Sequence, residues 1–392
     1  MSALFKPGTI GTMQLKNRFV RSATAECLAS DDCRVTSRYL RAYEQLAKGG
    51  VGLIVPGNFY INRMGRALPR IIVADTDEII GDLRKIAKVI HDNGAKTVAQ
   101  LNHGGRQCDP KILGTTPIAP SAVRDKLSMV KPREMREDEI ERTIFDFAEA
   151  ARRVKHAGFD GVQIHAAHGY LINEFLSGYT NRRKDQWGGN LDNRMRFLLE
   201  VYKAIRSQVG DEYPILVKIN STDFTKAGVT IEECIETCKK LDDLGINAIE
   251  VSGGIAEKGL VTIKGDIPRD LIMRNRNLME RIALKVMEKR LREAASFEEG
   301  YFLSQAAEVK KNVKAPVIAV GGMRRRKAME HALESGQADF ISLCRPFIRQ
   351  PNLVNLMAKG DDPITCTNCN RCSLEIVVHY NPMKCYSSRA PT

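Results

Sequence analysis

Residues 161–170 read GVQIHAAHGY, a short apolar run that ends in a polar turn, and an amphipathic stretch follows at about 191–209. A short apolar run followed by a longer amphipathic segment is typical of a β-strand and the helix that leads to the next parallel strand. The same unit recurs along the chain in both directions. The eight apolar runs are Phe19–Ala23, Val51–Val55, Lys96–Leu101, Gly161–His165, Ile215–Ile219, Ala248–Val251, Val317–Val320 and Phe340–Leu343. The helical stretches cover about 37–48, 77–93, 136–157, 191–209, 230–244, 278–312, 324–335 and 346–358.

Eight strands that each precede a helix are the signature of a (β/α)8 TIM barrel, which places the chain in the α/β class. An open doubly wound sheet is the rival, but it usually carries a Gly-x-Gly-x-x-Gly turn, and the sequence has none. We expect the barrel to occupy residues 1–360 and a short cysteine-containing tail to occupy 361–392. An inserted basic helical segment interrupts the barrel at about 255–300. Its residues 264–293 carry nine lysines and arginines against five acidic residues. This pattern is typical of a solvated helix face, and a lid or a partner surface is the alternative, because loops after barrel strands overhang the active site.

The composition excludes several classes of protein. Of the 392 residues, 43% are hydrophobic and 27% are charged, as in globular chains. No run of about 18 apolar residues is present and no apolar leader follows Met1, so we expect a cytoplasmic protein without a membrane span. The net charge of +13 suits an anionic small-molecule ligand such as a phosphate. The basic residues are scattered, so we expect no nucleic-acid partner. The oligomeric state stays open, a homo-oligomer included.

The ends of the last two strands indicate a phosphate site. Gly321 and Gly322 follow strand seven, and Arg345 follows strand eight. Barrels often bind phosphate with these two loops, because glycine lets backbone N–H groups approach the oxygens and arginine grips them with its planar fork. Ordinary tight turns are the alternative. Asn58 and Cys344, at the ends of strands two and eight, are further candidates for cofactor contacts.

The end of strand four carries His165, His168 and Tyr170. At a strand end that turns into a loop, these three side chains can face one pocket. Two imidazoles can then donate hydrogen bonds to a single carbonyl oxygen, and the phenol can deliver a proton. A metal site and buried, hydrogen-bonded histidines are the alternatives, although no acidic ligand stands in the nearby sequence.

Strands three and five each place one polar side chain near the same rim, Gln100 and Lys218. A side-chain amide offers both a donor and an acceptor, as the pyrimidine edge of a flavin requires. A lysine beside that edge would stabilise negative charge on a reduced flavin. A polar layer inside the barrel is the alternative interpretation.

The tail concentrates four of the ten cysteines into the last 27 residues. These are Cys366, Cys369, Cys372 and Cys385, with the spacing Cys-x2-Cys-x2-Cys-x12-Cys. Such a group in one tail of a long cytosolic chain indicates a metal or cluster site rather than a disulfide framework. The set fits a [4Fe–4S] cluster or tetrahedral zinc, and a tail without metal is the third alternative.

These candidate residues lie in longer runs that resemble the Old Yellow Enzyme family of FMN-dependent ene-reductases and their NADH:flavin oxidoreductase relatives. The most specific runs are HAAHGYLINEFL at 165–176 and NRRKDQWGG at 181–189. The others are NRFVRSAT at 17–24, AQLNHGGR at 99–106, NR at 193–194, VGG at 320–322 and RPF at 345–347. They occur in the family's order and span roughly residues 3–355.

The resemblance implies a noncovalent FMN on the barrel and NAD(P)H as the electron donor. The residues that would contact the flavin are Ser22, Ala23, Thr24, Ala25, Gln100, Lys218, Gly322 and Arg345, the last two at its phosphate. The resemblance also implies that His165 and His168 bind the substrate carbonyl and that Tyr170 donates the proton. Two positions depart from the family: Ala25 stands where relatives often have threonine or cysteine, and Lys218 where they usually have arginine.

The tail resembles that of the 2,4-dienoyl-CoA reductase and trimethylamine dehydrogenase branch, in which a cysteine cluster after the barrel binds [4Fe–4S]. The sequence thus predicts an FMN-dependent oxidoreductase that reduces the activated C=C bond of an enone-type small molecule with NAD(P)H. Two alternatives stay open. One is a flavin dehydrogenase or demethylase that runs oxidatively, and the other is a metal-binding interaction protein on a barrel scaffold.

Overall fold

A closed barrel of eight parallel strands confirms the predicted (β/α)8 fold. The computed structural model describes residues 2–274, 295–360 and 364–387, together with Met279 and Glu293. The strands are β1 Phe19–Arg21, β2 Leu53–Ile54, β3 Lys96–Asn102, β4 Gly161–Ala166, β5 Ile215–Asn220, β6 Ala248–Ser252, β7 Val317–Val320 and β8 Phe340–Leu343. Each strand pairs with the next, and β8 returns to β1 with Ile341 opposite Phe19. All eight strands therefore end at the same rim.

Amphipathic helices surround the barrel. One follows each barrel strand: α1 Ser37–Lys48, α2 Ile80–His91, α3 Glu137–His156, α4 Leu191–Val209, α5 Ile231–Asp243, α6 Leu303–Lys310, α7 Arg326–Glu334 and α8 Leu353–Lys359. Further short helices cover Pro110–Leu113, Leu171–Leu176, Gly259–Thr262, Arg269–Ile272, Arg345–Arg349 and Arg371–Val377, and 3-10 turns cover Ala3–Phe5, Arg63–Gly65, Asp77–Ile79, Gly105–Gln107 and Ala256–Lys258. Additional strands cover Gly8–Ile10, Met13–Leu15, Phe59–Tyr60, Ile118–Ala119 and Arg133–Glu134. No helix in the described ranges is long and apolar enough to cross a membrane.

Two predicted helical stretches are wrong in extent. In the stretch 278–312, residues 295–302 are not helical, and a helix begins only at Leu303, after Gly300 with its left-handed φ of +67°. Of residues 275–294 the structure describes only Met279 and Glu293, both helical, so most of the predicted basic segment lies outside the described residues. The stretch 346–358 is two helices, because Pro351 lacks an N–H and disfavours helical geometry at the residue before it. Gln350 accordingly has φ −133° and ψ 83°.

The N-terminal hairpin closes one end of the barrel. Its strands Gly8–Ile10 and Met13–Leu15 pair antiparallel, and Ile10, Met13 and Leu15 are buried against apolar side chains from the beginnings of the barrel strands. These include Val20, Leu53, Val98, Leu216, Ala248, Ile318 and Phe340. The apolar plug fills the N-terminal end of the barrel, so polar side chains have room only at the C-terminal end.

The cysteine tail packs against the barrel rather than extending from it. Ile376 is buried in a cluster with Cys27, Tyr60 and Cys108. The Met383 N–H donates to the Glu26 carbonyl oxygen at 2.7 Å. The tail therefore covers the loop that follows β1, close to the rim where the site residues lie.

Because the hairpin is part of the apolar core, we expect the protein to lose much of its stability when one of the buried hairpin side chains is shortened. Leu15→Ala should lower the free energy of unfolding by about 2–5 kcal/mol, because a buried leucine loses its contacts and leaves a cavity. Urea denaturation measures the change. Gln14→Ala, on the exposed face of the same strand, is the control and should stay within about 0.5 kcal/mol of wild type. Equal losses in the two variants would remove the hairpin from the core.

Candidate active site

A layer of polar side chains lies inside the barrel above the apolar plug. Its members are all buried and come from six strands or strand ends: Ser22, Gln100, Gln163, Lys218, Glu250 and Ser342. Gln100 Nε2 donates to Gln163 Oε1 at 2.8 Å, and Gln163 Nε2 donates to Glu250 Oε2 at 2.9 Å. Lys218 Nζ donates to Ser22 Oγ at 2.7 Å. Three residues predicted to contact the cofactor thus belong to one hydrogen-bonded network.

Sequence analysis missed Gln163, Glu250 and Ser342 in this layer. Each stands within a run that reads as an apolar strand, and each side chain turns into the barrel. The signal was present, because a polar residue in the middle of a fully buried strand needs a buried partner. Glu250 within Ala-Ile-Glu-Val is the clearest example.

The predicted substrate residues of strand four lie together. The rings of His165 and His168 are 5.1 Å apart, and those of His165 and Tyr170 are 5.0 Å apart, with edge-to-face geometry in both pairs. His165 Nδ1 is buried and has no hydrogen-bond partner among the described residues. A buried polar atom without a partner is costly unless a ligand or water satisfies it, so this atom leaves a hydrogen-bonding position that a ligand or a water can fill.

Burial sets the protonation of this group. It lowers the pKa of His168 to about 3, with a smaller effect of the Lys218 charge. Burial, and then the charges of His168 and Lys218, lower the pKa of His165 well below its ordinary value. Burial raises the pKa of Tyr170 to about 12. At neutral pH the two imidazoles are therefore uncharged and the phenol keeps its proton.

Neighbouring strands hold His168 in place. Its Nε2 lies 2.7 Å from Ser252 Oγ, and its backbone N–H donates to Asn220 Oδ1 at 3.1 Å. The residue has a left-handed φ of +64°, which a non-glycine residue adopts only when its surroundings fix it. With Nε2 on the serine, Nδ1 is the ring nitrogen left for a ligand. Sequence analysis missed Ser252 and Asn220, which both end barrel strands.

The remaining predicted cofactor contacts lie at the same rim. Ala23, Thr24 and Ala25 are half-buried on the segment after β1. Thr24 Oγ1 lies 2.8 Å from Cys344 Sγ. Asn58 is buried beside the Tyr170 phenol, and its Oδ1 has no partner in the described part of the chain. The ends of β1, β2 and β8 thus meet the strand-four group.

The predicted phosphate loops carry a buried arginine, Arg345, a half-buried arginine, Arg324, and two glycines that a larger residue could not replace. Gly321 and Gly322 have φ of +120° and +75°, and a Cβ on Gly322 would lie 2.6 Å from the Tyr301 ring. Arg345 donates to the Lys264 carbonyl oxygen at 2.8 Å and to Asn370 Oδ1. Arg324, which sequence analysis did not assign, donates to the Met323 carbonyl oxygen and to Asn368 Oδ1.

Neither of these two guanidinium groups contacts a carboxylate within the ranges that the structure describes. Burial lowers the pKa of Arg324, as expected for a cation that lacks a compensating anion. A bound phosphate would supply the missing negative charge and could accept hydrogen bonds from both guanidinium groups. The chemistry of the loop therefore fits the phosphate end of FMN, and the orphaned polar atoms at the rim leave donors and acceptors for the rest of the cofactor.

The four tail cysteines line one small cavity together with Arg345 and Arg349. Arg349 NH1 donates to Cys385 Sγ at 3.4 Å. Across residues 2–274, 295–360 and 364–387, no three histidine, cysteine or acidic side chains stand at metal-ligand geometry. The structure thus brings the predicted ligands to one cavity next to the predicted phosphate loop, and metal binding by them stays a prediction.

Comparisons with known proteins agree with this arrangement. The profile of the NADH:flavin oxidoreductase / NADH oxidase family matches residues 3–257 and 268–362. NADH oxidase from Thermoanaerobacter brockii is 35% identical over 371 residues, which are 94% of this chain and 52% of the relative. The chain spans about half the length of the first curated relatives that it matches.

Solved structures give the same result. A 2-naphthoyl-CoA reductase in complex with 2-naphthoyl-CoA superposes with a TM-score of 0.86 at 30% identity, over 98% of this chain and 56% of that one. The Old Yellow Enzyme homologue from Zymomonas mobilis superposes with a TM-score of 0.73 at 28% identity, over 93% of this chain and 96% of that one. The resemblance read from the motifs is therefore confirmed at the level of family and fold.

Buried carboxyl groups predict a folding stability that declines as the pH rises from the ordinary glutamate pKa to about 8. Burial raises the pKa of Glu174 to about 8 and that of Glu26 to about 7. Between pH 7 and 8 the folded protein keeps the Glu174 proton while the unfolded chain has lost it, so stability declines with pH, by at most about 1.4 kcal/mol per unit. Glu174→Gln should flatten the decline in urea-unfolding free energy over that interval. The neutral histidines act in the opposite direction, but only below about pH 6.5. An unchanged slope would contradict the protonated Glu174.

The phosphate loop predicts a loss of cofactor affinity. Arg345→Ala should weaken FMN binding roughly 10- to 100-fold, because a hydrogen bond to a charged group is worth about 1.5–3 kcal/mol. Titration of the apoprotein with FMN measures the dissociation constant. The control is Arg325→Ala, which removes an exposed guanidinium that pairs with Glu299 and should leave the affinity unchanged. An unaltered affinity in Arg345→Ala would exclude Arg345 from the phosphate site.

Proposed function

We propose that this chain, a member of the NADH:flavin oxidoreductase / NADH oxidase family, reduces the activated C=C bond of an α,β-unsaturated carbonyl compound. Its cofactor is FMN and its electron donor is NAD(P)H. The observation that carries the proposal is the grouping of His165, His168 and Tyr170 at one rim of the barrel. When bound, FMN would provide the hydride-transfer chemistry that links NAD(P)H to the substrate.

The two imidazoles bind and polarise the substrate carbonyl. Because both are uncharged at neutral pH, each can offer one N–H donor to the carbonyl oxygen. The Ser252 hydroxyl, 2.7 Å from His168 Nε2, can donate to that nitrogen and leave the proton on Nδ1 for the substrate. Two such donors stabilise the negative charge that develops on the oxygen as the double bond is reduced.

Tyr170 supplies the proton at the α-carbon. Its pKa of about 12 means that the phenol is fully protonated at neutral pH and acts as a general acid rather than as a base. The ring lies 5.0 Å from that of His165, so the acid stands beside the carbonyl-binding group. A conjugated substrate places its α-carbon next to its carbonyl, as this arrangement requires.

The substrate class extends to conjugated thioesters. The solved relative with the TM-score of 0.86 binds 2-naphthoyl-CoA, in which the carbonyl belongs to a thioester. A thioester carbonyl offers the same oxygen to the two histidines as a ketone does. The net charge of +13 favours the approach of a polyanionic substrate of this kind.

The tail cavity is the proposed site of a [4Fe–4S] cluster held by Cys366, Cys369, Cys372 and Cys385. The support is that these four side chains, the last of them 13 residues after the third, line one cavity, and that Arg345 and Arg349 stand beside them. Two guanidinium groups offset part of the negative charge of four thiolates. Zinc in the same set and an empty tail remain the competing outcomes of the test below.

Tyr170→Phe tests the proton-donor role. Reduction of the flavin by NAD(P)H should change less than about threefold, because that half-reaction does not use the phenol. Reoxidation by a weakly activated enone should slow by about 10²- to 10⁴-fold, the usual contribution of one general acid. Stopped-flow absorbance separates the two half-reactions. Tyr60→Phe, which alters another buried phenol of the same apolar cluster, is the matched control and should leave both rates intact. Equal slowing of both half-reactions in Tyr170→Phe would contradict the assignment.

Metal analysis tests the cysteine cavity. Anaerobically purified protein should contain about four iron atoms and about four acid-labile sulfides per chain, and Cys369→Ser should lose most of the iron. Cys238→Ser, which removes a buried cysteine of helix α5, is the control and should keep the iron. About one zinc atom per chain, or no metal in the wild-type protein, would overturn the cluster assignment.

A further inference from the structure

One carboxylate lies at the centre of the polar layer and contacts donor side chains from four strands or strand ends. Glu250, on β6, is fully buried. Its Oε1 accepts from Ser22 Oγ and from Ser342 Oγ, both at 2.8 Å. Its Oε2 accepts from Gln163 Nε2 at 2.9 Å and lies 3.3 Å from Lys218 Nζ. A buried carboxylate is tolerated only with such a complete set of donors and a compensating charge.

Both side chains predicted at the flavin edge depend on this carboxylate. Lys218 Nζ is held between Glu250 and Ser22 Oγ, which itself donates to Glu250. Gln100 reaches the same carboxylate through Gln163, since each amide donates to the next acceptor in the chain. A displacement of Glu250 would therefore move the cation and the amide together.

The carboxylate also changes the charge that a flavin would meet. A lysine beside the flavin edge stabilises the negative charge of the reduced form and raises the reduction potential. A carboxylate 3.3 Å from the same ammonium cancels part of that field, because opposite charges so close act on a third group almost as a dipole. The pair therefore stabilises reduced flavin less than an unpaired lysine would.

We propose that Glu250 is a positioning residue that holds Lys218 and, through Gln163, Gln100 at the FMN edge, and that its charge lowers the reduction potential of the bound FMN. This inference rests on the flavin site of the proposed function, not on the identity of the alkene. Glu250 does not itself contact the substrate group of His165, His168 and Tyr170 through any hydrogen bond in the described part of the chain.

The reduction potential of the bound FMN tests the proposal, because a purely structural role would not shift it in a defined direction. Glu250→Gln keeps the size of the side chain and an acceptor for the two serines but removes the charge. It should raise the equilibrium constant for two-electron reduction about tenfold, which corresponds to about +30 mV. Glu250→Asp keeps the charge and should shift the constant less than about threefold. Ser342→Ala removes one hydrogen bond to the carboxylate without changing charge, and should shift it less than about twofold.

Removal of the partner charge should act in the opposite direction. Lys218→Met should lower the equilibrium constant about tenfold or more, since the carboxylate is left near the flavin without its cation. The double variant Lys218→Met/Glu250→Gln should fall between the two single variants and within about tenfold of wild type. The double variant carries no unpaired buried charge, so it should fold and bind FMN even where a single variant does not.

The outcomes separate this inference from the proposed function. If Glu250→Gln lowers the potential or leaves it unchanged while Lys218→Met shifts it, the role of Glu250 is refuted and the flavin site stands. If Lys218→Met changes neither the potential nor the FMN dissociation constant of the apoprotein, the flavin does not lie beside Lys218. The flavin placement and the inference then fail together. A double variant whose equilibrium constant for flavin reduction differs more than about tenfold from that of wild type also refutes the compensation of the two charges.

Discussion

Closure of eight parallel strands is the constraint from which the arrangement of the site follows. In a closed parallel barrel all carboxyl ends meet at one rim, and the side chains of neighbouring strands stand in register. Lys218 on β5 lies opposite His165 on β4 and Glu250 on β6, and Gln100 on β3 lies opposite Gln163 on β4. Residues that are far apart in sequence thereby become neighbours without any loop having to place them.

The cations at this rim are compensated in different ways. Lys218 has an internal carboxylate, Glu250, at 3.3 Å, so its charge is balanced before any ligand binds. Arg324 and Arg345 donate to neutral oxygens of the protein and contact no carboxylate in the described part of the chain. A desolvated cation without an anion is costly, and that cost favours an anionic ligand at the arginines and not at the lysine. The difference would orient a ligand that has one anionic end and one polar, uncharged edge.

The sequence predicts those parts of the fold in which the hydrophobic pattern of a segment matches the strand or helix that the folded chain forms there. The eight strands were predictable because each is an apolar run. The candidate site residues were chosen at strand ends, where barrel chemistry lies, and the structure brings them to one rim. Gln163 and Glu250 were missed because each polar residue was assigned to an apolar strand from the character of the residues on either side of it. The predicted helix 346–358 was too long because the prediction followed the helix-forming residues on both sides of Pro351 and ignored the break that this proline causes. The contact between Met383 and Glu26 joins residues at opposite ends of the chain, and no local pattern encodes it.

The tail is joined to the predicted flavin site through one side chain. Arg345 lines the cysteine cavity, follows β8 at the predicted phosphate loop, and donates to Asn370, which itself donates to the Ile263 and Asp266 carbonyl oxygens. The tail therefore fixes the guanidinium from one side, while the loop after β6 fixes it from the other through the Lys264 carbonyl. Since a rotamer-rich side chain binds an anion best when it is already held in place, the folded tail would contribute to the predicted phosphate site even though it follows the last strand of the barrel. The barrel and the cysteine cavity are joined at a buried cation that each of them helps to position.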